Sequence, residues 1–219
     1  MARGWGIVVA LLLSVPPAVA QPRDPSQWES DIRAFEAADA ARKPPAGAVL
    51  FIGSSSIRLW STLEADFPGV PVINRGFGGS QLPDVAAYVD RIVTPYRPRK
   101  VIVYCGANDI DAGRSAAEVL AAYQRLVQAI HARLPATPIA FIAVAPNPAR
   151  WAQIETVREA NRLVAEWSAT DRRLSFIDVH QAMLGPDGTP MPGIFVDDKL
   201  HMNEKGYAIW RAVIGPHLK

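Results

Sequence analysis

Three short segments carry the residue types that acyl transfer requires: Gly53-Ser54-Ser55-Ser56, Gly106-Ala107-Asn108-Asp109 and, near the C-terminus, Asp198-Lys199-Leu200-His201. A hydroxyl becomes a nucleophile when a base takes its proton, a carboxylate orients that base, and fixed N–H donors receive the developing oxyanion. Hydroxyls, an imidazole, carboxylates and a side-chain amide are all available here. Together they point to a serine hydrolase.

Such groups act only if the fold brings them together, and the apolar pattern indicates how. Ala48 to Ile52, Val70 to Asn74, Lys100 to Cys105, Ile139 to Ala145 and Leu174 to Asp178 are continuous apolar runs, the pattern of strands buried on both faces of a parallel sheet. Helical spacing lies between them, clearest at Leu120, Tyr123, Val127, Ile130 and Leu134, and at Ile154, Val157, Asn161, Val164 and Trp167. A last helix starts near Asn203 with Tyr207, Trp210 and Ile214 inward. Trp28, Ile32 and Phe35 mark an extra helix ahead of the first strand, stopped by Pro44-Pro45. This alternation predicts a flavodoxin-like three-layer α/β/α sandwich on a five-stranded parallel sheet. In such sheets ligands bind at the carboxyl ends of the strands. The loops at 53–56, 75–80, 106–111 and 146–151 each follow a strand candidate, and these are the loops that hold the chemistry.

Taken singly, each segment has a structural alternative. A Ser-Ser-Ser run at a strand-to-helix turn is a nucleophile facing helix amides, or a helix N-cap with two solvated neighbours. It is not a phosphate loop, because the Gly-Lys-Ser/Thr ending is missing. Asn108 is an oxyanion donor or the closer of an Asx-turn. Gly76, Gly78 and Gly79 supply a tight loop whatever else they do.

Elimination narrows the base. His131 sits inside a long helix and His217 two residues from the terminus, which leaves His180, paired with Asp178, and His201. The Asp-x-x-His spacing lets Asp198 accept the Nδ1 proton of His201 and frees Nε2 to take a proton from serine. Asp197 is the alternative orienter.

The blocks Gly53-Ser54-Ser55-Ser56, Asn74-Arg75-Gly76-Phe77-Gly78-Gly79, Gly106-Ala107-Asn108-Asp109 and Asp198-Lys199-Leu200-His201 resemble, in order and spacing, those of the SGNH/GDSL hydrolases, from about Phe51 to Trp210. Ser54 stands where that family usually has Asp. The resemblance implies Ser55 as nucleophile, with Asp198 and His201 completing a triad. It also implies an oxyanion hole made of the Ser55 and Gly79 backbone amides and the Asn108 side chain.

Around this centre the signals are thinner. Arg150 and Trp151 follow the fourth strand and either bind substrate or form a rigid loop. Arg58 and Arg75 either hold an anionic group or are ordinary loop charges, and Trp60 belongs to the core. Cys105 ends a strand as a small apolar filler, and a single cysteine excludes an intramolecular disulfide and a CxxC site. No metal or organic cofactor is implied.

At 219 residues, 49% hydrophobic and 20% charged, the chain has the composition of one globular domain. A net charge of +2 without a run of like charge gives no nucleic-acid surface. Residues 1–20 read as a signal peptide: Arg3, an apolar stretch from Gly6 to Val15, then Ala18-Val19-Ala20. The stretch is shorter than the roughly 20 residues of a membrane span, so no stable insertion is expected after cleavage. Its removal takes one Arg and lowers the charge from +2 to +1. Residues 21–219 are then a single catalytic domain, exported to the periplasm or secreted. The expected activity is hydrolysis of short acyl esters, including acetyl groups on glycans. The alternatives are a lysophospholipase or thioesterase, or a flavodoxin-like protein that binds a glycan or phosphate without hydrolysis.

Overall fold

Each of the five apolar runs forms a strand: β1 (Val49–Gly53), β2 (Val72–Gly76), β3 (Lys100–Tyr104), β4 (Ile139–Ile142) and β5 (Leu174–Ile177). The computed structural model describes residues 24–218, so the expected signal peptide at 1–20 lies outside the described residues. All pairings are parallel, in the order β2-β1-β3-β4-β5, the flavodoxin-like order.

β1, β3 and β5 lie within one residue of the sequence reading, while β2 and β4 depart from it by more, each for an identifiable reason. β2 begins two residues late because the Val70 amide donates to the Phe67 carbonyl in a turn, and pairing with β1 starts at Val49 and Val72. Arg75 and Gly76 therefore belong to the strand. β4 stops at Ile142 although the apolar run continues. Beyond it, Val144 finds its partners in a side chain: its N–H donates to Asn161 Oδ1 at 2.8 Å and its carbonyl accepts from Asn161 Nδ2 at 3.0 Å. A buried amide takes the place of the next ladder step.

The helices are α1 (Glu29–Ala41), α2 (Ser55–Arg58), α3 (Leu63–Asp66), α4 (Leu82–Ala87), α5 (Val89–Ile92), α6 (Ala107–Asp111), α7 (Ala116–Arg133), α8 (Ile154–Ser168) and α9 (Glu204–Ile214). Their ends follow local chemistry. Ser115 and Glu118 form a capping box that starts α7, which gives out at Leu134 before Pro135. The Asn203 side chain caps α9 by accepting from the Lys205 and Gly206 amides. No helix among the described residues is long and apolar enough to cross a membrane.

Alternation along the strands divides the core into two layers. Leu50, Ile52, Val101, Val103 and Phe141 face α1, α4, α5, α7 and α8. Val49, Phe51, Ile102, Tyr104 and Ile142 face α2, α3 and α9, where Trp60 is 1% exposed and stacks on Tyr207. Each such fully buried large side chain contributes roughly 1.5–3 kcal/mol. The strand ends are thereby held rigidly, and the loops that leave them inherit that rigidity.

Candidate active site

Gly53 ends β1 at φ +129°, and a Cβ there would lie 1.9 Å from the Tyr104 carbonyl oxygen. Only glycine allows this approach. The Ser54 amide then donates to that same carbonyl at 3.0 Å, and the chain turns directly into α2. Ser54 and Ser56 are buried by the turn, 2% and 8% exposed, whereas Ser55 remains partly exposed. Two further bonds pin this short helix: Tyr207 Oη donates to the Ser56 carbonyl at 2.9 Å, and Asn74 Nδ2 to the Ile57 carbonyl at 2.6 Å.

Across 146 positions of sequence, His201 Nε2 lies 2.8 Å from Ser55 Oγ. Its Nδ1 lies 2.6 Å from Asp198 Oδ2. Asp198 Oδ1 accepts from the Leu200 and His201 amides at 2.8 and 2.9 Å, a turn that Lys199 closes at φ +56°. These amide bonds, first that of His201 and then its ring, hold the Asp198 carboxyl down at about 2. The carboxylate can then only accept, so Nδ1 carries the ring proton and Nε2 turns a lone pair to the serine hydroxyl.

The other histidines lie elsewhere. The His180 ring is buried, with Nδ1 3.0 Å from the Val144 carbonyl, while Asp178 accepts from the His180 and Gln181 backbone amides. Asp178 and His180 are thus neighbours in sequence but not a side-chain pair. His131 meets the Thr137 carbonyl, and His217 lies in the turn after α9. Asp197 is exposed.

Asn108, the second residue of α6, borders the same cleft as Ser55 and is fixed at both ends of its amide. Arg150 Nη1 donates to its Oδ1 at 3.0 Å, which assigns oxygen and nitrogen, and its Nδ2 donates to the Ser80 carbonyl at 3.0 Å. An amide nitrogen carries two hydrogens, so one remains for the cleft. Gly79, at φ +72°, lies on the adjoining loop against Trp28, whose Cη2 would be 3.2 Å from a Cβ at position 79. Both Gly79 and Asn108 border the open groove that contains Ser55 and His201.

The sequence reading missed the residues that lock these loops together. Ser80 is fully buried, with Oγ within 3.2 Å of the Gly53 carbonyl and 3.0 Å of the Phe77 carbonyl, and its own carbonyl receives Asn108. Gln81 Nε2 reaches the Asn108 carbonyl at 3.2 Å, and Gln81 with Asp84 forms a capping box on α4. The Gln-x-x-Asp spacing was the available signal.

Asp109 adds a further tie, accepting from the Leu82 amide at 3.1 Å while itself fully buried. Desolvation pushes its carboxyl up to about 6. A raised carboxyl binds protons more readily folded than unfolded, so its charge opposes folding above about pH 6, and the penalty vanishes below the unfolded value near pH 4. Asp109→Asn should therefore gain stability over the native protein as pH rises from 4 to 7, by roughly 2–3 kcal/mol. Urea unfolding at the two pH values reads this, and an unchanged gap would mean that the carboxyl is not desolvated.

Two spaces meet at Ser55. On one side lies a small pocket of about 20 Å³ between Tyr104, Ala145, Met183, Phe195 and Met202. That admits about one water-sized group. Outward lies an open groove of about 430 Å³ bordered by Trp28, Asp31, Arg58 and Gly78.

The cationic candidates separate. Arg150 borders both spaces, yet its guanidinium already holds Asn108, the Ala107 carbonyl and Asp111. Trp151 is half-buried under the Arg158 guanidinium and does not border either space. Arg75 is tied to Asp39 between the Phe35 and Tyr96 rings, so it anchors α1 to the sheet. Cys105 is buried, and burial pushes its thiol well up. Among the described residues no three His, Cys, Asp or Glu side chains converge as a metal site.

A family described as GDSL-like lipase/acylhydrolase matches residues 52–209. Solved structures resemble the fold closely at low identity. A Streptococcus pneumonia protein whose name refers to platelet activating factor superposes with TM-score 0.77 at 20% identity, covering 89% of this chain and 94% of its own. A GDSL-like lipase from Bacteroides thetaiotaomicron gives 0.70 at 19% identity, with 85% and 96% covered. A catalytic mutant of an acetylxylan esterase from Geobacillus stearothermophilus gives 0.63 at 17%, with 80% and 96% covered. No curated protein is a significant match to the sequence.

Proposed function

The chain belongs to the GDSL-like lipase/acylhydrolase family, an ester-hydrolysing group, and on that premise we propose that it is an exported serine esterase for short acyl groups, acetyl foremost. The observation that carries this reading is the 2.8 Å contact between His201 Nε2 and Ser55 Oγ. Ser55 Oγ attacks the ester carbonyl as its proton passes to His201 Nε2, and the ionised Asp198 stabilises the resulting imidazolium. The Ser55 and Gly79 amides and Asn108 Nδ2 receive the oxyanion. Nε2 then gives its proton to the departing alkoxide, leaving an acyl-Ser55 ester. Water repeats the sequence with His201 as base and releases the acid.

The small pocket of about 20 Å³ favours an acetyl methyl over a long chain, and an acetylxylan esterase is among the similar folds. In this reading residues 1–20 are removed on export and 21–219 form the catalytic domain. Protein made with its full leader is expected outside the cytoplasm with Gln21 at its N-terminus. An intact Met1 in the cytosolic fraction would overturn the export proposal.

Mature protein should hydrolyse p-nitrophenyl acetate at least about ten-fold more efficiently than the octanoate, since the small pocket has no room for the added methylenes. A fluorophosphonate should label Ser55. Faster octanoate turnover would favour a lysophospholipase. Blank-rate hydrolysis without labelling would leave a non-catalytic binding protein.

A further inference from the structure

We propose that the groove outside Ser55 is a sugar-binding subsite in which Trp28, Asp31 and Arg58 hold the alcohol half of the ester, so that the released group is a glycan hydroxyl. This deepens the hydrolytic reading and rests on it. The small inner pocket leaves the outer groove as the place for the alcohol, and its volume of about 430 Å³ lies in the range of ligand sites.

Its walls suit a polyol. A sugar ring has an apolar C–H face and a rim of hydroxyls. The half-buried Trp28 indole lines the groove as an apolar aromatic surface, held edge-on against Phe77 at 5.6 Å. Asp31 accepts from hydroxyls and Arg58 donates to them with planar, two-pronged geometry. Neither has an ion-pair partner among the described residues, whereas nearby Glu29, Arg33, Glu36 and Arg91 are all paired with one another. An alkyl chain laid here would strip water from both charges without replacing it.

The platform is also fixed in place. Tyr88 Oη donates to the Pro25 carbonyl at 2.7 Å, and Arg91 grips Glu29 and Glu36 from α5. Trp28, immediately before α1, therefore holds its position over Gly79.

Two readouts test this. First, kcat/KM is compared for two acetates, acetylated xylotriose and hexyl acetate, in the native protein and in Trp28→Ala, Asp31→Ala and Arg58→Ala. The sugar-to-hexyl ratio is expected to fall at least about ten-fold in Trp28→Ala and several-fold in each charge variant. Second, xylotriose binding is measured calorimetrically on Ser55→Ala, with and without Trp28→Ala. Binding that depends on Trp28 supports the subsite even if p-nitrophenyl acetate is not cleaved, an outcome that removes the hydrolytic reading alone. Active enzyme with the same ratio in all variants and no xylotriose binding overturns the proposal. Asp31 and Arg58 lie at the surface of the groove, so their variants keep the test valid should Trp28→Ala fold poorly.

Discussion

His201→Ala is expected to lower kcat on p-nitrophenyl acetate by about five to six orders of magnitude, with the melting temperature little changed. The imidazole is the group within reach of both the Ser55 hydroxyl, at 2.8 Å, and the Asp198 carboxylate, at 2.6 Å. Without it the hydroxyl must lose its proton unaided. The fold should survive because the loop is held by backbone bonds: the Val196 amide donates to the His201 carbonyl at 2.9 Å, and the Ala149 amide to that of Lys199 at 3.1 Å. The matched control is His180→Ala. That ring partners the Val144 carbonyl inside the core, so its loss should lower stability by about 1–3 kcal/mol with a smaller effect on kcat. Near-normal turnover by His201→Ala would move the base to His180 and with it the whole assignment.

The contrast between these histidines shows where the sequence is informative. His180 and His201 both follow a nearby Asp, at two and three residues. In one case the carboxylate caps backbone amides, and in the other it reaches the ring. That difference depends on how the turn closes, and Lys199 at φ +56° closes the second one without a glycine to announce it. Strands were legible because burial on both faces demands continuous apolar residues. Their ends were not, because β4 hands its hydrogen bonding to Asn161, a residue read as part of an apolar helix face. The residues proposed to be catalytic stand in compact sequence blocks, which is why the sequence alone could nominate them. Their supports could not: Ser80 and Arg150 act through partners 27 and 42 residues away, and Trp28 gains its place through its own edge-on contact with Phe77.

Arg150 also determines what removal of the proposed oxyanion donor, the Asn108 amide, will show. Asn108→Ala is expected to lower kcat about 10²- to 10³-fold with little change in KM, because the lost donor matters chiefly once charge develops on the carbonyl oxygen. Arg150→Met should cost less, about ten-fold. It frees the Asn108 amide, held at 3.0 Å on each side by Arg150 and Ser80, to sample orientations that turn its oxygen toward the oxyanion. If Arg150 acts through Asn108, the double variant should be no slower than Asn108→Ala alone, since nothing remains to position. If the guanidinium instead touches the substrate, the two losses should multiply and KM should rise with Arg150→Met. Steady-state kinetics of the two single variants and the double on one acetate ester separate these outcomes. Multiplicative losses would restore Arg150 as a binding residue, while a fully masked effect would make it the group that keeps the Asn108 donor aimed at the reacting carbon's oxygen.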